Sequence, residues 1–287
     1  MRILCRLALM LAGIGVFTLT SCLFPKISCV AVQALNGWQV LEPGLELGTF
    51  ESPQIAEVGD SLIQVLRIDP RFFELRLLNA SAKEAQQLLS AKVWCQTYNL
   101  TAAINASMYQ KDYLTSVSLM RTANHVNNPR LSKDNAILAF GARTADVPLV
   151  KIIDRQCENF DEWQKKYTTF VQSIRMISCH RRNVWRQQPQ KWSTALIGTD
   201  SQDRVLFIHV RSHYSPHDLI NILLQLPISI ERAMYTEGGG EAQLFVRSGD
   251  QEYEFVGGYN AGLPPYTKAH PIPNVIGIVR RERAMVP

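Results

Sequence analysis

Leu62-Ile63-Gln64-Val65-Leu66-Arg67-Ile68 alternates apolar and polar side chains over a short run, the pattern of a β-strand. The texture recurs at Phe73–Leu78, Ala102–Asn105, Ala136–Phe140, Val150–Asp154 and Phe170–Ile174. Further runs lie at Ser193–Gly198, Val205–Val210, Ala242–Val246 and Val275–Val279. Asp200-Ser201-Gln202-Asp203 separates two of them and reads as a hairpin turn.

Two helix starts interrupt the strands. Ser81-Ala82-Lys83-Glu84 resembles a capping box and predicts a helix through about Lys92. Ser215-Pro216-His217-Asp218 places Ser at the N-cap and Pro at the first helical position, ahead of an apolar face of Leu219, Ile220, Leu223 and Leu224. Many strands and few helices, not in strict alternation, predict an α+β fold: one domain with a mixed, largely antiparallel sheet and a few flanking helices.

The chain has 287 residues, with 46% hydrophobic and 19% charged, which excludes a wholly disordered protein. Neither an internal repeat nor a long linker divides the body. The expected division is a leader over 1–21, a tether over 22–45 and a domain over 46–287. The net charge of +5 is dispersed. Its densest clusters, His180-Arg181-Arg182 and Arg280-Arg281-Glu282-Arg283, lack the aromatic spacing of a nucleic-acid motif, so no nucleic-acid partner is expected. They read as a solvated basic face or as contacts to a phosphate-bearing partner.

The N-terminus carries an export signal. Arg2 and Arg6 precede an apolar run, Leu7 to Leu19, too short for a comfortable membrane span. Leu19-Thr20-Ser21-Cys22 then resembles a bacterial lipobox, which implies lipidation of Cys22 and a firm membrane anchor. Leu23 after the cysteine favours the outer membrane over retention, so the expected location is the periplasm or outer membrane. Cleavage near Cys29-Val30-Ala31 or Val32-Gln33-Ala34, without lipid, is the alternative. An oxidising compartment would permit a bridge such as Cys157–Cys179, while isolated buried thiols are the other reading. No CxxC pair or Cys/His metal spacing is present, and neither metal nor cofactor is expected.

Two segments go beyond packing. Ile104-Asn105-Ala106-Ser107-Met108-Tyr109 runs a strand out into polar and small residues. Tyr235-Thr236-Glu237-Gly238-Gly239-Gly240-Glu241 sets three glycines between two carboxylates, either a tight hairpin or a loop approaching a ligand. His209 and Arg211 alternate on one strand, share a face, and are candidates to line a cleft.

The ordered set of segments resembles the phosphodiester glycosidase family from about residue 60 to 281. The family's Asn-Gly-Gly-Phe-Phe strand end stands here as Asn105-Ala106-Ser107-Met108-Tyr109, and its Gln-Ser-Gly-Pro segment as Gln172-Ser173-Ile174-Arg175. Its Arg-Thr-Ala-Ile-Gly strand stands as Ser193-Thr194-Ala195-Leu196-Ile197-Gly198, and its Leu-Asp-Gly-Gly-Gly-Ser loop as Thr236 to Glu241. The resemblance implies an exported hydrolase that cleaves a sugar-1-phosphodiester at the sugar–phosphate bond. Glu237 and Glu241 would be the catalytic carboxylates. Asn105, Tyr109, Gln172, Arg175 and Thr194 would contact substrate, with Asn105 on the sugar and Arg175 on the phosphate. Gly238 and Gly239 would allow close backbone approach. The expected partners are a sugar phosphodiester or envelope glycan, and a membrane through Cys22. Both glycines of the first motif and the Arg before Thr194 are replaced here. Those changes favour a second reading, a non-catalytic carbohydrate-binding or envelope-interaction lipoprotein.

Overall fold

Three antiparallel sheets, not a sheet with flanking helices, build this protein. The computed structural model describes residues 35–82, 87–258 and 268–282, all within one contact unit. Strands are numbered in chain order. The first sheet runs β1 (Gly37–Glu42), β2 (Leu45–Glu51), β3 (Leu62–Ile68), β13 (Val205–Tyr214), β12 (Trp192–Asp200), β14 (Ile230–Gly238), β11 (Arg175–Ile177). The second runs β7 (Val126–Asn128), β6 (Met120–Arg121), β10 (Tyr167–Ser173), β8 (Ala136–Ala142), β9 (Val150–Asp154). The third runs β16 (Gln251–Val256), β15 (Gln243–Ser248), β5 (Ala102–Asn105), β17 (Asn274–Arg280), β4 (Phe73–Asn79).

The α+β expectation is therefore corrected. Among the described residues, strands take 47% and helices 11%, and the fold is mainly β. The alternating runs are short and mostly close on neighbours in antiparallel register, as β12 does with β13 across the Asp200–Asp203 turn. The helices are α1 (Ala91–Thr97), α2 (Phe160–Trp163) and α3 (Pro216–Gln225), too short to form a layer of their own. The helix expected over 81–92 is displaced. Leu89 is bridged to Ile272 in extended backbone, and Ser90 is the true N-cap, accepting from Val93 N–H. Part of the expected helix, 83–86, lies outside the described residues, as do the leader and Cys22. Strand β1 occupies part of the stretch expected as tether.

One core joins the three sheets. Leu47, Leu66 and Phe207 come from the first, Leu138 and Val171 from the second, and Ile104, Leu244 and Ile276 from the third. On β3, Leu66 points into this core while Val65 points to the opposite face, under α3. There Leu219, Ile220 and Leu223 of α3 are buried, each worth ~1.5–3 kcal/mol relative to exposure. Trp94 of α1 covers the third sheet in the same way against Ala103, Phe245 and Val275.

Candidate active site

The Glu237–Glu241 segment is the hinge between two sheets. Ala195 of β12 faces Glu237 and Leu196 faces Tyr235, so Thr236 is an extra residue, a β-bulge at the strand end. Gly239 to Glu241 then form a 3-10 turn that leads into β15. Gly239 has φ +67°, a left-handed conformation that favours glycine. Gly238 has another reason. A Cβ there would collide with the Tyr235 hydroxyl and the Trp192 indole, which are hydrogen-bonded at 3.1 Å. Its missing side chain makes room for protein, on that face, rather than for a ligand.

Glu237 is half-buried, and its Oε1 accepts from the Gly238 N–H at 3.0 Å. Burial pushes its carboxyl up to about 7; the Gly238 N–H pulls the other way, and the charge of Glu241 adds to the rise. A carboxyl poised there exchanges protons near neutral pH.

Asn105 is buried at the end of β5 and staples this turn. Its Nδ2 donates to Glu241 O at 2.9 Å and its Oδ1 accepts from Gln243 N–H at 2.7 Å. Asn105 is thus tied to the Glu241 backbone, and Glu237 lies near enough to Glu241 to feel its charge. Asn105's side chain, however, is largely spent on backbone. His209 holds the far end of the turn, donating from Nε2 to Ala242 O at 3.3 Å. Burial lowers its pKa to about 4, so the ring is neutral.

Gln172 and Arg175 are engaged elsewhere. Gln172 is fully buried; its Oε1 accepts from the N–H groups of Leu119 and Ser132, and its Nε2 donates to Ser132 O and Asp134 O. Arg175 grips Asp154 of the second sheet at 2.7 Å and donates to Gln156. Tyr109 bridges to Ser116 and packs against Tyr113. Thr194 is buried opposite Gly238.

Sequence reasoning passed over a set of hydroxyls. Ser173, Thr194 and Thr236 are fully buried, and their oxygens have no hydrogen-bond partner. Ser173 stands beside Thr236, because Tyr235 N–H donates to Ile174 O. Arg175 also pairs with Met234. Buried hydroxyls without partners cost ~1–3 kcal/mol each, so such groups point to a ligand or water. The available signal was a threonine at 236 where the family has leucine.

Cys157 and Cys179 form a disulfide, with Cα atoms 6.6 Å apart. With His180 they make a cluster compact enough for a metal ion, but a disulfide leaves no thiolate to ligate one.

A near-neutral carboxyl, a second carboxylate and a polar strand end on a rigid sheet scaffold are the equipment of enzymes that hydrolyse glycosidic bonds. A profile of the phosphodiester glycosidase family matches residues 98–279, more than half of the chain. This chain belongs to the phosphodiester glycosidase family, which supports a glycosidase-type hydrolase. Among solved structures, the fold is similar to the zebrafish N-acetylglucosamine-1-phosphodiester alpha-N-acetylglucosaminidase catalytic domain auto-inhibited by its pro-peptide. That match has a TM-score of 0.62 at 11% identity, over 84% of this chain and 85% of the other. It is also similar to a hypothetical protein from Synechocystis, with a TM-score of 0.55 at 14% identity, over 83% of this chain and 62% of that one. No curated protein matches.

Proposed function

We propose that this protein hydrolyses a sugar-1-phosphodiester at the sugar–phosphate bond, with Glu237 as the general base that activates water. The observation that carries this reading is the Glu237 carboxyl, held near pH 7 at the mouth of a turn pinned by Asn105 and His209. A phosphate monoester is a weak base and leaves with little protonation, so the chemistry needs a base and charge stabilisation more than a strong acid. Glu241, one turn on, supplies the second carboxylate beside the developing oxocarbenium ion. The hydroxyls of Ser173 and Thr236, near the bulge, are suited to sugar hydroxyls. Asn105 acts by holding the turn.

The test is release of free sugar from a panel of sugar-1-phosphodiesters. Glu237→Gln should lower kcat by about 10²–10⁴-fold. The wild-type kcat/KM should rise with pH through about 7, because the base works as the carboxylate. Sugar binding without release in the wild-type chain would instead support the non-catalytic reading. The commitment of Gln172 and Arg175 to protein partners is what favours that alternative.

The same proposal places the protein outside the cytoplasm, anchored through Cys22. The Cys157–Cys179 bridge fits an oxidising compartment. Palmitate labelling should vanish in Cys22→Ala; labelling that persists removes the anchor.

A further inference from the structure

Three side chains that can ligate a metal meet where the turns after β9 and β11 touch. Cys157 lies just past the end of β9, and Cys179 and His180 lie just past the end of β11. Their ligand atoms, two sulfurs and one ring nitrogen, lie within 4.8 Å of one another. His180 Nε2 is 3.9 Å from Cys157 Sγ. Cys157 and His180 are exposed, so an ion or a reductant reaches them from solvent. In the oxidised chain the bridge occupies both sulfurs.

The bridge does not hold the two turns alone. Asp154, the last residue of β9, is buried and reaches both of them. Its Oδ1 accepts from Gln156 N–H at 3.1 Å, in the turn of Cys157, and its Oδ2 accepts from Cys179 N–H at 3.0 Å. Arg175, at the start of β11, adds an ion pair at 2.7 Å. Each turn is also closed on itself, since Cys157 N–H donates to Asp154 O and Arg181 N–H to Ser178 O, both at 2.9 Å. Opening the S–S bond therefore leaves the two sulfurs as neighbours. Tetrahedral zinc, with bonds of ~2.0–2.3 Å, sets its ligand atoms roughly 3.5–3.8 Å apart. The sulfurs spread to that spacing once their bond is broken, and rotation of the side chains brings the imidazole in.

We propose that the reduced chain binds one zinc ion here, on the thiolates of Cys157 and Cys179 and the imidazole of His180, so that a metal replaces the covalent bridge at the junction of the first and second sheets. Two small thiols supply two electrons and two protons, open the S–S bond and leave as their own disulfide. Zinc then binds both sulfurs, and the two thiol protons pass to solvent. The two thiolates cancel the charge of the ion, and soft sulfur with imidazole selects zinc over magnesium or calcium. Asp154 is spent on Arg175 and the two turns, so the fourth position falls to water. Of the adjacent cations, Arg181 is turned to Ile230 O and Glu231, and Arg182 is exposed and screened.

The test uses the full chain, stripped of metal and reduced with a water-soluble phosphine. The phosphine leaves as its oxide, with oxygen from water, and adds no competing thiol. One equivalent of Co²⁺ should give a thiolate-to-cobalt band and the visible bands of a tetrahedral ion, and Zn²⁺ should erase both. Zn²⁺ should also raise the Tm of the reduced chain and leave that of the oxidised chain unchanged. His180→Ala should weaken Zn²⁺ about a hundred-fold against a coloured chelator, at the upper end of the ~10–100-fold that losing an outer partner of a ligand costs. His180 is exposed, so oxidised His180→Ala should keep the wild-type Tm, which separates lost ligation from misfolding. Cys157→Ser should lose the thiolate band, although Cys5, Cys22, Cys29 and Cys95 remain in the chain. A reduced wild-type chain without that band, a band that persists in Cys157→Ser, or wild-type affinity in His180→Ala overturns the proposal.

Discussion

Glu237 holds its proton at pH values where a solvated glutamate has lost it, and that has a price in stability. Its folded pKa of about 7 lies above the ordinary 4.5. The stability it contributes is full below 4.5 and is lost as pH rises through 7, on the order of 3 kcal/mol. Glu237→Gln should therefore raise Tm at pH 8 while leaving it nearly unchanged at pH 4, measured by thermal unfolding. A Tm gain equal at both pH values would show that the carboxyl is not strained. Gln172 makes the opposite case. Its four hydrogen bonds to protein predict that Gln172→Ala lowers stability by about 2–4 kcal/mol, measured by denaturant unfolding. The family resemblance made Gln172 and Arg175 look like ligand contacts. Their partners, Ser132, Asp134 and Asp154, lie 21 to 40 residues away, and no local pattern announces them. Glu237 and Glu241 were legible because one short segment holds them both.

At the scale of elements, the strands were the most readable part. Leu62–Ile68, Ala102–Asn105 and Val150–Asp154 have the bounds read from alternation. The helix after Ser215 also follows its sequence signal, since Ser215 Oγ accepts from Asp218 N–H. Ser215→Ala should cost about 1–2 kcal/mol in denaturant unfolding, with sugar release preserved. The helix at 81–92 was misplaced because a capping box is only a local preference. At Leu89 the bridge to Ile272, distant in sequence, wins instead. Strands β1, β2 and β16 escaped notice; Gly48 and the polar face of Gln251–Val256 weaken their alternation. In the glycine turn, Gly239→Ala should strain a left-handed residue by about 1–2 kcal/mol. It should lower kcat more than stability, because it displaces Glu241 relative to Glu237. Unaltered kcat in that variant would detach the turn from the chemistry.

Across the whole molecule, the first and second sheets are tied by charge as well as by core. Asp154 on β9 meets Arg175 on β11, and Glu158 meets both Lys151 on β9 and Arg232 on β14. Burial works against both carboxylates, but their cations and hydrogen bonds win and hold both below the usual range. Their contribution is present above the unfolded pKa and is lost as pH falls through the folded one. Acid should thus loosen the second sheet from the first, and Asp154→Asn should flatten the acid limb of the stability curve. The overall class was misread because helix signals, even one that holds as Ser215 does, say nothing about how little area short helices cover.

The Cys157–Cys179 bridge sits on this same seam, where Cys179 N–H donates to Asp154 at 3.0 Å. Covalent and ionic fastenings therefore back each other up. Removing one exposes the other: a sample kept in thiol reductant relies on charge there and should unfold at a milder acidity than an oxidised one. Storage buffer, a matter of bench routine, thereby decides which of the two fastenings an experiment on this protein observes.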